Sequence, residues 1–242
     1  MALLALAVTA PSLVAQRAHV DTVLVAGQPL VAYRYEPVDA PRCPSVVLLS
    51  GDGGWALGVV QWAEALAGDG HEVVGVDAPR LVKLAGADGL AGVVAAWPDV
   101  AKLTRRSPVV VGYSRGATIG LALAARAATP PPAVLLGVDL EDHFAGPGVP
   151  AGLAPGIRTR GDYVVDLRPL FRDRGRSAPV AVIHGMRDRV APYSALRPWL
   201  DSLPEPKRVT ILPASGHGFG DSRTVLPAIR QSLVWASADA CR

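Results

Sequence analysis

The sequence has little of the clustered basic charge that nucleic-acid-binding proteins carry. Lysine occurs only at Lys83, Lys102 and Lys207, so arginine supplies nearly all of the 24 basic side chains. The net charge is only +3, and no extended run of Lys or Arg appears. Because such a run is the usual electrostatic signature of a nucleic-acid site, we expect no nucleic-acid partner.

Motifs for metals and phosphate cofactors are also missing. No cluster of His, Cys or paired carboxylates has the spacing of a metal site, so no metal or other cofactor is expected. The glycine-rich stretch LSGDGGW (residues 49–55) lacks the Lys and the Ser or Thr with which a P-loop binds phosphates and Mg²⁺. The chain has no internal repeat and no low-complexity linker, which favours a single domain.

The apolar N-terminal stretch MALLALAVTAPSLVAQ is too short to span a bilayer and ends in small residues. Both features are typical of a secretory signal, so residues 1–16 are predicted to be a signal peptide. The protein would then be periplasmic or secreted. No Lys or Arg precedes the apolar run, and the alternative is an ordinary buried segment.

Cysteine is scarce as well. The two cysteines, Cys43 and Cys241, would be free to pair in an oxidising compartment. The alternative is two unpaired thiols, and the sequence leaves both open.

The composition is that of a folded protein, since 50% of the 242 residues are hydrophobic and 19% are charged. Residues 17–242 are predicted to form one domain. Residues 20–25 and 30–35 predict an antiparallel hairpin. Buried parallel strands are predicted at residues 45–50, 71–78, 108–113, 132–140, 179–185 and 207–214. Helices are predicted at residues 57–67, 98–105, 117–127, 194–203 and 223–236. This order predicts an α/β fold with a mostly parallel, doubly wound sheet and an N-terminal antiparallel hairpin.

The longest stretch without a predicted element is residues 141–177, which is rich in Gly, Pro and Arg. An irregular segment of this length in a compact domain is usually functional, so it is predicted to be a loop or lid.

The motif Gly112-Tyr113-Ser114-Arg115-Gly116 lies between a predicted strand and a predicted helix. This is the setting of a nucleophile elbow, a strained turn that exposes a serine hydroxyl and leaves no room for side chains at the two glycines. Taken alone the motif is weak, because a serine in such a place is also a common helix N-cap.

A histidine base and a carboxylate that orients it are both found downstream. Asp188 follows the predicted strand 179–185, and His217 follows the strand 207–214. The order Ser114, Asp188, His217 is that of the α/β-hydrolases, and all three would lie at the carboxyl edge of the sheet. We therefore predict a Ser-His-Asp catalytic triad. The alternatives are that Asp188 is a solvated loop acid and that His217 is a surface histidine.

Acyl transfer also needs backbone N–H groups that stabilise the developing oxyanion. Arg115, which follows the serine, is predicted to supply one of them. Asp52 in the loop after the strand 45–50 is predicted to supply the second, with Gly53 as the alternative. Of the remaining histidines, His19, His71 and His184 read as packing or strand-edge residues, whereas His143 lies in a loop that could overlook the active site.

These motifs resemble the bacterial virulence protein family VirJ, which is also found as the C-terminal part of AcvB. The resemblance rests on SGDGGW, on the following VVGVD strand, on GYSRGA at the elbow and on LEDHF after the next strand, and it runs from about residue 45 to residue 217. Arg115 departs from the aromatic residue expected after the family's serine. Residues 146–177 show little similarity.

The resemblance implies an exported α/β-hydrolase that cleaves the ester bond of lysyl-phosphatidylglycerol and is associated with type IV secretion. It places the triad on Ser114, Asp188 and His217. It further implies a lipid ester substrate, peripheral membrane contact and partners in a secretion system. The predicted substrate-binding residues are Trp55, Glu141, His143, Arg172, Arg174 and Arg176; the arginines would face a lipid phosphate. For the charged residues, the alternative is that they are solvated loop charges. For the function, the alternatives are a general carboxylesterase or thioesterase and a non-catalytic accessory protein.

Overall fold

The computed structural model describes residues 18–86, 89–143, 164–166, 178–237 and 241. For residues 141–143 and 164–166 it describes the backbone. The predicted signal peptide and most of the predicted lid, including Arg172, Arg174 and Arg176, lie outside the described residues.

Ten strands and six helices follow one another along the described chain. The strands are β1 (His19–Val25), β2 (Gln28–Tyr35), β3 (Val46–Leu49), β4 (Val73–Val76), β5 (Val109–Tyr113), β6 (Ala133–Leu136), β7 (Glu141–His143), β8 (Val164–Asp166), β9 (Val180–Gly185) and β10 (Lys207–Leu212). The helices are α1 (Gly58–Gly68), α2 (Ala78–Ala85), α3 (Gly89–Ala101), α4 (Arg115–Arg126), α5 (Tyr193–Ser202) and α6 (Ser222–Ala236).

Eight strands form one sheet in the order β1-β2-β4-β3-β5-β6-β9-β10. The hairpin β1–β2 is antiparallel and joins β4 in antiparallel register, and every pairing from β4 to β10 is parallel. The predicted mostly parallel sheet with an N-terminal hairpin is therefore confirmed. The carboxyl ends of β3, β5, β9 and β10 meet at one edge, and this edge carries the candidate site.

Both faces of the sheet are covered by helices, as the continuous apolar strands predict. Along β3, Val47 and Leu49 pack into the core under α2, α3, α4 and α5, whereas Val46 and Leu48 pack against α1 and α6. No single helix in the described part of the chain is long and apolar enough to cross a membrane, and the apolar pair α2 and α3 is bent by 106°.

The helix predicted at residues 98–105 is wrong in its position. Helix α3 begins at Gly89 and contains Pro98 in its interior, and α2 before it was not predicted. Proline is more common at the first position of a helix than in its interior, so Pro98 within α3 is an unfavourable sequence signal for a helix that continues through it. The segment from Gly89 to Trp97 is apolar on most sides and packs into the core, so it lacks the polar face that reveals a surface helix.

The predicted irregular segment at residues 141–177 contains two short strands. β7 and β8 pair in antiparallel register, with Glu141 opposite Asp166 and His143 opposite Val164. Glu141 and His143 thus lie in a ribbon that follows β6, and their side chains lie outside what is described.

A disulfide bond joins the two cysteines that the sequence left unassigned. Cys43, just before β3, is bonded to Cys241, after α6, across 198 residues of chain. The bond ties the C-terminal helix to the start of a central strand.

We predict that removing this bond destabilises the protein without changing the fold. Closing a loop of this length reduces the entropy of the unfolded chain, so the double variant Cys43→Ser/Cys241→Ser should lose about 2–4 kcal/mol of unfolding free energy. Urea denaturation of the oxidised wild type, the reduced wild type and the variant measures this loss. Two reactive thiols in the oxidised wild type would contradict the bond.

Candidate active site

The elbow motif folds as the sequence predicts. Ser114 links β5 to α4 with φ 52° and ψ −116°, a region that residues with a side chain rarely adopt. A Cβ atom on Gly112 would lie 2.2 Å from the carbonyl oxygen of Gly116, and one on Gly116 would lie 2.3 Å from the carbonyl oxygen of Leu49. Only glycine fits at either place, because the contacts are with backbone. The turn is therefore fixed by close packing between β3, β5 and α4.

The structure brings Ser114, His217 and Asp188 into one chain of hydrogen bonds. The Nε2 atom of His217 lies 2.9 Å from Oγ of Ser114, and its Nδ1 atom lies 2.8 Å from Oδ2 of Asp188. With a proton on Nδ1 donated to the carboxylate, Nε2 carries a lone pair that faces the serine hydroxyl. This is the geometry that lets a histidine accept the serine proton.

Asp188 is held rigidly in the turn after β9, which we call the acid turn (residues 185–191). Its side chain is fully buried, and its Oδ1 atom accepts hydrogen bonds from the N–H groups of Val190 at 2.8 Å and Ala191 at 2.9 Å. These two donors leave Oδ2 for His217. A Cβ on Gly185 would lie 2.5 Å from the carbonyl oxygen of Ser215, so this turn packs tightly on the loop that carries the histidine.

The loop after β3, the second predicted source of an oxyanion donor, lies against the elbow. A Cβ on Gly51 would lie 3.0 Å from the Tyr113 ring and 3.2 Å from Cβ of Ser114. The guanidinium of Arg115 forms an ion pair with the Asp52 carboxylate, which links this loop to the first residue of α4. The two segments predicted to donate N–H groups are thus joined by their own side chains.

A cavity of about 520 Å³ opens beside Ser114 and His217. Gly51, Asp52, Gly53 and Gly54 form one wall of it. The other lining residues are Ala56, Leu57, Gly58, Val59, Trp62, Tyr113, Val190 and Gly218. Its volume is within the range usual for small-molecule sites.

Aromatic side chains support the residues of this cavity. Trp62 packs edge-on against Tyr113 and Phe219, with ring centroids 5.5 and 6.4 Å apart. The Tyr113 ring also lies 5.8 Å from the His217 ring. Burial raises the pKa of Tyr113, and the nearby carboxylates of Asp188 and Asp52 add to this, so the phenol stays protonated.

Comparison with known proteins identifies one matching family model and a shared fold. Residues 44–128 match the family model described as "Bacterial virulence protein (VirJ)". The resemblance to that family is confirmed over this segment, which includes the β3 loop and the elbow. No curated protein sequence is significantly similar to the chain.

Solved structures that resemble most of the chain include esterases and related hydrolases. A protein assigned as a dienelactone hydrolase from Klebsiella pneumoniae has a TM-score of 0.67 at 17% identity, covering 91% of this chain and 98% of that one. The esterase domain of a Rhodothermus marinus protein has a TM-score of 0.64 at 18% identity, covering 90% and 98%. A serine hydrolase without a lid from Xanthomonas campestris has a TM-score of 0.59 at 21% identity, covering 91% of this chain and 93% of that one. The chain has the α/β-hydrolase fold.

Trp55, which the sequence predicted to bind substrate, lies away from the cavity. Its ring stacks on Tyr33 with centroids 5.1 Å apart, its Nε1 donates to the hydroxyl of Tyr35, and it covers Gly75, where a Cβ would lie 2.1 Å from the indole. Its backbone N–H donates to Asp77. Trp55 therefore anchors the β3 loop to β2 and β4 and does not line the cavity, so its position gives no support to a substrate-binding role.

A residue that the sequence reading set aside lies directly against the acid turn. His184 is fully buried in β9, its Nε2 donates to the carbonyl oxygen of Ala191 at 2.8 Å, and the same atom is 3.8 Å from Oδ2 of Asp188. Burial lowers the pKa of His184, partly offset by the Asp188 carboxylate, so the ring stays neutral. Its spacing of four residues before Asp188 is the only signal the sequence offered.

We predict that His184 positions the acid turn. In His184→Leu the Ala191 carbonyl loses its donor, so Asp188 should shift and kcat for ester hydrolysis should fall about 10–100-fold with little change in KM. His184→Gln, whose amide can reach the same carbonyl, should recover most of the loss. Steady-state kinetics with thermal melts measure both.

The matched control is His71→Gln, because His71 is also buried and its pKa is also lowered by burial, but it bonds to the Pro44 carbonyl at the opposite end of β3. This variant should lose stability and keep kcat. Equal kcat values for His184→Leu, His184→Gln and wild type would show that His184 only fills space.

Proposed function

We propose that the protein is a serine esterase in which Ser114 is the nucleophile, His217 the general base and Asp188 the residue that orients it. The observation that carries the proposal is the unbroken hydrogen-bond chain from Oγ of Ser114 through His217 to Asp188. The esterase character of the structural neighbours supports the reaction class.

In the first step, Oγ of Ser114 attacks the ester carbonyl carbon while Nε2 of His217 takes the hydroxyl proton. The carbonyl π electrons move to oxygen and form a tetrahedral oxyanion. The imidazolium that results is stabilised by the Asp188 carboxylate. Because that carboxylate is buried and already bonded to two backbone N–H groups, it needs no reorganisation during the step.

The oxyanion is proposed to bind the backbone N–H groups of Arg115 and Asp52, with Gly53 as the alternative to Asp52. The support is the contact between the β3 loop and the elbow, which the Arg115–Asp52 ion pair maintains. Collapse of the oxyanion breaks the bond to the leaving alcohol, which takes its proton from His217. Water then hydrolyses the acyl-serine by the same route in reverse.

We predict that Ser114→Ala abolishes ester hydrolysis and leaves the fold intact. Removal of a triad nucleophile typically lowers kcat by several orders of magnitude, whereas the loss of one hydroxyl at the end of a cavity costs little packing. The measurement is the hydrolysis of p-nitrophenyl butyrate together with the melting temperature. A variant that turns over at near the wild-type rate would rule out the serine mechanism.

For the substrate, we propose aminoacylated phosphatidylglycerol, on the basis of the resemblance to the VirJ family over residues 44–128. The proposal includes export to the periplasm or medium, peripheral contact with the membrane and partners in a type IV secretion system. The Cys43–Cys241 disulfide supports export, because such bonds persist in oxidising compartments. The roles proposed for Glu141, His143, Arg172, Arg174 and Arg176 in binding this lipid rest on the sequence.

We predict that the purified protein releases lysine from vesicles of phosphatidylglycerol that contain lysyl-phosphatidylglycerol. Ser114→Ala, the matched control, should release none. Amino-acid analysis of the supernatant and thin-layer chromatography of the lipid measure the reaction. Turnover of p-nitrophenyl butyrate with no lysine release would contradict the lipid substrate and favour the second candidate.

That second candidate is a general carboxylesterase or thioesterase that acts on small acyl compounds. It is favoured by the largely apolar lining of the cavity and by the esterases among the structural neighbours. A non-catalytic accessory role is the third candidate, and the close contacts within the triad argue against it, since a binding protein has no need of them.

A further inference from the structure

Two apolar side chains at the mouth of the active-site cavity are left in contact with solvent. Leu57, the residue before α1, is 85% exposed, and Val190 in the acid turn is 63% exposed. Both line the cavity that contains Ser114 and His217. We call these two residues the apolar rim.

The backbone of Leu57 is strained. Its φ of 50° and ψ of −116° fall in a region that favours glycine, and they nearly equal those of Ser114 at the elbow. Because the Leu57 side chain is mostly exposed, its own packing offsets little of the cost of such a conformation. Strained residues that persist are concentrated at functional sites, where the strain is retained for what the side chain does.

The backbone of Val190 is held by Asp188 of the proposed triad. Its N–H donates to Oδ1 of Asp188, so the hydrogen bond that holds the acid also sets the position of the Val190 backbone. Its side chain nevertheless remains largely uncovered. The two residues of the apolar rim thus come from two separate segments, one before α1 and one in the acid turn.

We propose that the apolar rim binds the hydrocarbon chain of the ester whose carbonyl carbon Ser114 attacks. This inference rests on the proposed esterase function and specifies its substrate class as esters with an aliphatic chain, so it favours the second candidate, the general carboxylesterase, over the aminoacylated lipid. Leu57, Val190 and Ser114 line one cavity, so a ligand whose ester group lies at Oγ of Ser114 can extend its chain to the rim. Among the described residues that line the cavity, the one carboxylate, Asp52, is already paired with Arg115.

The size of the effect follows from the transfer free energy of hydrocarbon. Each methylene removed from water contributes about 0.8 kcal/mol, which corresponds to about fourfold in binding. The wild-type kcat/KM for p-nitrophenyl esters should therefore rise from acetate to hexanoate, by about fourfold for each methylene that the rim covers.

The test uses variants that differ in side chain and in strain. Leu57→Ser and Val190→Ser should each lower the hexanoate-to-acetate ratio of kcat/KM about tenfold. Leu57→Gly should lower the ratio equally but, since it removes the strain, should melt a few degrees above Leu57→Ser. The matched control is Leu24→Ser, a leucine 70% exposed on the edge strand β1, which should leave the ratio unchanged.

A hexanoate-to-acetate ratio that is the same in the rim variants and the wild type would overturn the proposal. So would an equal loss on both esters, which would make Leu57 and Val190 structural. A wild-type protein that hydrolyses neither ester would overturn the esterase function itself, and a wild type that hydrolyses both at equal rates would overturn the apolar rim alone.

Discussion

The site depends on one steric constraint, the absence of side chains at Gly112 and Gly116. The carbonyl of Gly116 and that of Leu49 occupy the positions that Cβ atoms would take, so β3, β5 and α4 approach at backbone contact distance. This approach forces the chain through the positive φ of Ser114, and the serine hydroxyl then meets His217. A methyl group on Gly112 would push α4 away from β5, and one on Gly116 would push the elbow away from the end of β3. Either change would displace Ser114, the proposed nucleophile, and the second would also disrupt the predicted oxyanion site.

The parallel sheet supplies the other parts. Because the strands run in one direction, the loops after β3, β5, β9 and β10 open at one edge, and they carry Asp52, Ser114, Asp188 and His217 respectively. The acid turn is the most strongly restrained of these loops. Its carboxylate accepts two backbone N–H groups and its Ala191 carbonyl accepts from the buried His184, so the acid is positioned before any substrate binds.

Much of this arrangement could be predicted from the sequence, because the elbow and the strand pattern are local signals. Three features could not. Helix α3 is buried on most sides and lacks a clear polar face, and α2, although amphipathic, is only eight residues long, too short for its pattern to stand out in the sequence. The predicted role of His184 arises from its hydrogen bond to the Ala191 carbonyl at the far end of the acid turn. The placement of Trp55 depends on Gly75, which leaves space for an indole on a strand that is distant in sequence. Tertiary packing decides the burial of α3 and the places of His184 and Trp55, and a single sequence does not record it. The strain at Leu57 was equally hidden, since the residue type favours no positive φ.

The most direct test of the account is covalent labelling of the nucleophile. The protein is treated with a fluorophosphonate, digested and analysed by mass spectrometry, alongside the His217→Ala variant. We expect one adduct per wild-type chain, on the peptide that contains Ser114, and little or none in the variant, because the hydroxyl is activated only through His217. Labelling of a different residue, or equal labelling of Ser114 without His217, would contradict the account.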